Sequence, residues 1–156
     1  MSNMNYEVKV FWKKNTNEVF VDNKYSRAHT WVFDGGFELA ASASPHIVPL
    51  PMSSEAAVDP EEAFIASLSS CHMLWFLSIA VENNYIVERY EDHAEGILGK
   101  NEAGKLAMTK VTLKPMVIFS GKIRPSREQV VELHHLAHEK CFIANSVKTE
   151  IIVLPR

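Results

Sequence analysis

The chain has 156 residues, 47% hydrophobic and 22% charged, ordinary values for one soluble globular domain large enough to bury a core. Its formal net charge is −3, from 16 basic and 19 acidic residues, so it lacks the basic face that a general nucleic-acid binder needs. The opening MSNMNYEVKVFWKKN has no basic segment followed by an apolar one, so no signal peptide is expected and the expected location is the cytoplasm.

Tyr6 to Trp12 alternates, with Tyr6, Val8, Val10 and Trp12 on one face and Glu7 and Lys9 on the other. That is the pattern of a half-buried strand. A turn at Asn15–Glu18 leads to a short extended piece over Val19–Val21. A further strand, Ala28–Phe33, runs into Asp34-Gly35-Gly36, a hairpin signal. From Ser42 to Val58 the chain holds four serines, three prolines and few charges, and reads as one long loop. Loops of that length in compact domains are often functional.

A helix start is marked by Asp59 as N-cap, Pro60 at the first helical position and Glu62 closing a capping box. The helix is expected to run to about Asn83-Asn84. Tyr85–Leu98 and Lys105–Gly121 read as two strands joined through a glycine-containing turn. A second helix starts at Ser126, again with a box through Gln129, carries Val130, Val131, Leu133 and Leu136-Ala137, and ends near Asn145. The last strand covers Val147–Leu154. The expected architecture is α+β, a mostly antiparallel sheet packed with two main helices in a single domain over 1–156.

The first helix is the unusual element. Its run from Ala63 to Val81 is near membrane-spanning length, but four serines, a cysteine and a histidine make it a core helix rather than a span. Phe64, Leu68, Cys71, Trp75 and Ile79 form one stripe, which Ile65, His72 and Phe76 widen. A helix apolar all round must be covered on all sides. A helix of about 24 residues is roughly 36 Å long, and a chain this short has little with which to surround it. A homodimer with this helix near its interface follows as an expectation.

Cys71 and Cys141 are the only cysteines. In a reducing cytoplasm a structural disulfide is disfavoured, which leaves inert, metal-binding and redox roles open. A thiol reacts as the thiolate, and apolar burial suppresses ionisation, so a reactive Cys71 needs a nearby cation. Adjacent His72 points about 100° away around the helix. Cys71 is therefore either a nucleophile served by another group or a small hydrophobe beside a core histidine. His134, His138 and Cys141 fall on one helix face at i, i+4 and i+7, a set of zinc-type donors or simply a polar face. Arg27 and His29 stand at the start of a strand, and Glu61 in the first turn of the cysteine helix. They are partners for Cys71, or a solvated arginine and a carboxylate favoured by the helix dipole.

DPEEAFIASLSSCHMLWFLSIA resembles the first cysteine motif of the OsmC/Ohr family of thiol peroxidases, and LAHEKCFIANSV resembles the second. The order and spacing of the two motifs extend the resemblance over essentially the whole chain. It implies an intertwined α+β homodimer with the cysteine helices at its centre. It implies reduction of organic hydroperoxides, and more weakly of hydrogen peroxide, to alcohols or water. Cys71 would be the peroxidatic cysteine and Cys141 the resolving one. Glu61 matches the glutamate of the Pro-Glu motif, and Arg27 is the counterpart of the active-site arginine, oriented by Glu61. A dithiol donor, lipoylated or thioredoxin-like, would reduce the disulfide, with no metal, haem or flavin and no nucleic-acid or membrane partner. An apolar pocket lined by Trp75, Phe64 and the loop at 47–52 would receive the peroxide. The alternative within the same resemblance is a dimeric ligand-binding protein with an inert buried cysteine.

Overall fold

The computed structural model describes residues 2–156, in two compact units whose boundary falls between Ala63 and Phe64. In the first unit, β1 (Val8–Phe11), β2 (His29–Phe33) and β3 (Glu38–Ala41) form an antiparallel sheet in that order. Val10 stands opposite Trp31, and Thr30 opposite Ala40. The expected hairpin closes at Gly36, whose φ of +83° is left-handed and whose N–H donates to the Phe33 carbonyl.

Two expectations for this unit are corrected. Val19–Val21 is not extended, because Phe20–Asp22 is a 3-10 turn. The Phe20 ring stacks on Tyr25 at 4.6 Å, Trp12 meets Tyr25 edge-on at 5.4 Å, and Asn23 turns the chain at φ +62°. Aromatic packing and a turn residue override a three-residue β tendency that has no strand to pair with. β1 is also not half-buried: all four residues are exposed, Val10 at 61%. The long loop does form. Ala41 and Val58 bridge its ends, with the Ser42 N–H donating to the Val58 carbonyl at 2.9 Å.

α1 (Pro60–Glu82) starts as its cap dictates: the Glu62 N–H donates to Asp59 Oδ1 at 2.8 Å and the Asp59 N–H to Glu62 Oε2 at 3.3 Å. It ends at Asn84, left-handed at φ +58°, with the Tyr85 N–H returning to the Ala80 carbonyl.

The second unit holds β4 (Ile86–Asp92), β5 (Glu95–Lys100), β6 (Leu106–Leu113), β7 (Pro115–Ser120), α2 (Arg127–Lys140) and β8 (Glu150–Val153). β4 pairs with β7 and β5 with β6, both antiparallel, while β8 adds to β6 in parallel. The two long strands expected here are thus four. At the breaks, the Asp92 carboxylate accepts the Lys114 N–H at 2.6 Å and the Ser69 hydroxyl at 2.5 Å, which ties these strand ends to α1, and Pro115 opens β7. Antiparallel pairing predominates, as expected, but in separate sheets of three, two and three strands.

α2 keeps its predicted capping box at Ser126 and Gln129 but stops at Lys140 rather than near Asn145. Cys141 leaves the helix with extended backbone, and a 3-10 turn at Ala144–Ser146 leads to β8. The stripe of α1 that is buried is Leu68, His72, Phe76, Ile79 and Ala80, rotated from the expected one. Phe76 and Ile79 pack with Leu133 and Ala137 of α2, and Leu68 packs with Val111 and Leu113 of β6. Cys71 and Trp75 lie at the edge of this stripe, half-buried. The rest of α1 is not enclosed: Leu74 is 60% exposed and Val81 72%.

Candidate active site

Cys71 sits mid-helix on α1, where it borders a cavity of about 550 Å³ with Leu74, Trp75, Phe142 and Ile143. The walls are apolar apart from three serines, Ser67, Ser70 and Ser78. Trp75 meets Phe142 edge-on at 5.4 Å, and the Lys140 ammonium lies 5.4 Å over the Trp75 ring. Phe64 belongs elsewhere, packing against the Leu68 cluster, so that part of the expected lining is corrected.

Cys141 lies beside Cys71, just past the end of α2. It is fully buried, and its Sγ accepts the Ala144 N–H at 3.4 Å. Burial first, and then the hydrogen bond and charge of Cys71, push its thiol up to about 11, against the pull of the Ala144 N–H. Cys141 is therefore a protonated thiol beside Cys71 at neutral pH. Both cysteines are free thiols.

His72 faces away from Cys71, into the core. Its Nε2 lies 2.9 Å from His134 Nδ1, with the rings 5° from parallel. Burial, then the charge of His138, hold His72 down at about 4, with Asp92 opposing. Burial, then His72, hold His134 at about 3. Both rings are neutral at pH 7, so neither is the cation that a Cys71 thiolate requires. The sequence pattern had grouped His134 with His138 and Cys141; the structure pairs it with His72 instead. The one signal for that pairing was position, since His72 lies on the stripe of Leu68 and Phe76, and His134 beside Leu133. Among the described residues, no three His, Cys, Asp or Glu side chains converge as a metal-holding group.

Arg27 and Glu61 lie in the first unit. The Arg27 guanidinium covers the Tyr25 ring at 3.7 Å and donates to Asn23 Oδ1 at 2.6 Å and to the Asn23 and Tyr25 carbonyls. It borders an apolar cavity of about 470 Å³ with Trp12, Phe20, His29 and Ser42. Glu61 is half-buried in the first turn of α1. No ion pair joins it to Arg27 among the described residues. Of the four expected site residues, the fold brings Cys71 and Cys141 together and leaves the arginine's donors on its own loop.

This arrangement of helices and sheets has known counterparts. A structure of an OsmC-like protein of unknown function from Vibrio cholerae superposes over 100% of both chains, with a TM-score of 0.97 at 59% identity. The organic hydroperoxide resistance protein OhrB of Bacillus subtilis shares the fold over 98% of both chains, at 19% identity and a TM-score of 0.65. An organic hydroperoxide resistance protein from Legionella pneumophila does so over 99% of this chain and 97% of its own, at 18% identity and a TM-score of 0.67. Comparison with the curated proteins gave no match. The family model described as OsmC-like protein matches residues 53–154, which include α1, both thiols and the Asp92 staple, and the chain therefore belongs to the OsmC-like family.

Proposed function

We propose that the protein is a cysteine-based peroxidase that reduces organic hydroperoxides to alcohols, and hydrogen peroxide more weakly to water. The observation that carries this reading is the adjacency of an accessible thiol and a buried one. Cys71 borders an apolar cavity, and Cys141 stands behind it as a protonated thiol. The Cys71 thiolate attacks one peroxide oxygen, the O–O bond breaks, and the alcohol leaves with a proton. Cys71 is then a sulfenic acid. Cys141 attacks its sulfur, the S–O bond breaks, water leaves, and a Cys71–Cys141 disulfide remains. A dithiol donor, lipoylated or thioredoxin-like, restores both thiols by two exchange steps. Names borne by fold relatives, the hydroperoxide resistance proteins of Bacillus subtilis and Legionella pneumophila, support the reading at family level.

Arg27 is proposed as the cation that favours the Cys71 thiolate, and Glu61 as the carboxylate that orients it. A homodimer is part of the proposal. The outward face of α1, with Leu74 60% exposed, and β1, with Val8 54% and Val10 61% exposed, leave apolar surface that a second copy would cover.

A second reading, a dimeric binding module with little turnover, is favoured by the apolar walls at Cys71. One experiment separates the two. Reduced protein is mixed with one equivalent of cumene hydroperoxide and its cysteines are mapped by mass spectrometry. Rapid loss of two protons, located to a Cys71–Cys141 bond, establishes the peroxidase; two untouched thiols overturn it in favour of the binder.

A further inference from the structure

α1 and α2 meet along a largely apolar seam, with Phe76 and Ile79 against Leu133 and Ala137. There His72 Nε2 and His134 Nδ1 lie 2.9 Å apart, 1% and 2% exposed, with the Phe76 ring stacked on His134 at 4.3 Å. Among the described residues this is the only side-chain hydrogen bond from α1 to α2. One N–H joins the two rings, and the outer nitrogens, His72 Nδ1 and His134 Nε2, have no partner. Whichever ring donates, one donor and one acceptor stay buried and unmet. Two apolar side chains of like volume would close the seam without that cost. The pair is thus a poor device for stability alone. The groups facing it are His138 on α2 and Tyr90 and Asp92 on β4; Asp92 is already committed to Ser69 and the Lys114 N–H.

Its place in the chain shows what it does instead. Cys71 precedes His72 by one residue on α1, and Cys141 follows His134 by seven, about two helical turns, at the end of α2. A directional bond at this point fixes the roll of each helix, where apolar contacts alone let side chains repack.

We propose that the His72–His134 bond is a clamp that sets α1 against α2 so that Cys71 and Cys141 are held in line for disulfide formation. Both histidines are positioning residues. The use of that disulfide rests on the two-cysteine peroxidase reading, but the clamp can be measured without a peroxide. In glutathione buffer, one oxidised glutathione and the two protein thiols exchange to a Cys71–Cys141 disulfide and two reduced glutathiones, with electrons and protons balanced.

The test is the position of that equilibrium at pH 7, read by alkylation and mass spectrometry, in four variants checked for folding by circular dichroism. His72→Phe and His134→Phe keep a ring and lose the bond. Each is expected to shift the equilibrium about tenfold towards the dithiol, about 30 mV for this two-electron couple. His134→Asn places an amide oxygen near the Nδ1 position, and His72→Gln places its amide near Nε2. Each is expected to stay within about twofold of the unaltered protein, on the inverted ranking that a bond rather than a packing role demands. An unaltered equilibrium in the phenylalanine variants overturns the clamp, as does a loss in the amide variants equal to theirs. Should a phenylalanine variant not fold, the corresponding His→Leu change takes its place with the same expectation. A normal glutathione equilibrium in a protein that ignores cumene hydroperoxide would sink the peroxidase and leave the clamp standing.

Discussion

Cys141 lies beside Cys71 at the point where the chain leaves α2, one residue after Lys140. Its N–H closes on the His138 carbonyl at 3.3 Å, and the chain then turns through Ala144–Ser146. In a helix continued to Asn145, Cys141 would keep helical backbone, about 100° around the axis from Lys140. Two thiols 70 positions apart thus meet at a local C-cap.

The first consequence is an asymmetry between the two serine variants. Cys71→Ser is expected to abolish hydroperoxide consumption. Cys141→Ser is expected to allow a single turnover, after which a second equivalent drives Cys71 to the sulfinic acid, seen as a gain of two oxygens in the intact mass. Turnover retained in Cys71→Ser would refute the mechanism.

If Arg27 is the cation proposed for the Cys71 thiolate, Arg27→Ala is expected to slow Cys71 oxidation by an order of magnitude or more. The thermal transition is expected to change little, because the guanidinium bonds only its own loop at Asn23 and Tyr25. Stopped-flow oxidation across pH, beside a thermal melt, distinguishes an acid–base role from a structural one.

The buried imidazoles give the reduced protein an acid limit. His72 lies at about 4 and His134 at about 3 when folded, against an ordinary 6.5. The unfolded chain therefore binds protons that the native one refuses, and stability falls as pH drops from about 6.5 towards those values. The loss is on the order of a few kcal/mol. On the alkaline side Cys141, raised to about 11 from 9.0, makes stability fall as pH climbs from about 9 to about 11. Urea unfolding between pH 3 and 11 under reducing conditions should give a plateau with these two shoulders.

Core and surface positions of α1 should separate cleanly. Phe76→Ala, at a fully buried site against α2, is expected to cost about 3–5 kcal/mol in urea unfolding. Leu74→Ser, at a residue 60% exposed, is expected to leave folding of the single chain nearly unchanged and to weaken self-association in sedimentation velocity.

Asp92→Ala should be costly for a residue at a strand end. It strips partners from the Ser69 hydroxyl and the Lys114 N–H together, and about 2–3 kcal/mol of stability is expected to go with them. A melt unchanged by the substitution would show that these two hydrogen bonds contribute little to stability.

The features legible in the sequence were the ones written locally. Asp59 with Glu62 and Ser126 with Gln129 announced both helix starts, and Gly36 announced a hairpin, because each acts within four residues of itself. The strand breaks were not read, and the Asp92 contacts made there reach Lys114 and Ser69, 22 and 23 residues away. The pairing of His72 with His134 spans 62 residues, and its only mark in the sequence is the place of His72 on an apolar stripe and of His134 beside Leu133. The two motif cysteines stood out as a pair through family resemblance, while composition and spacing left both inert and reactive roles open.

The unequal burial of the two sulfurs gives any disulfide between them a single door. Cys141 is 1% exposed, so an incoming thiolate has only the Cys71 sulfur to strike, and Cys141 must be the one that departs. Burial, the largest influence holding the Cys141 thiol up, would also make its sulfur a slow leaving group in that exchange. On the proposed two-cysteine cycle, the depth of one side chain would favour a donor whose reactive arm fits the cavity beside Trp75.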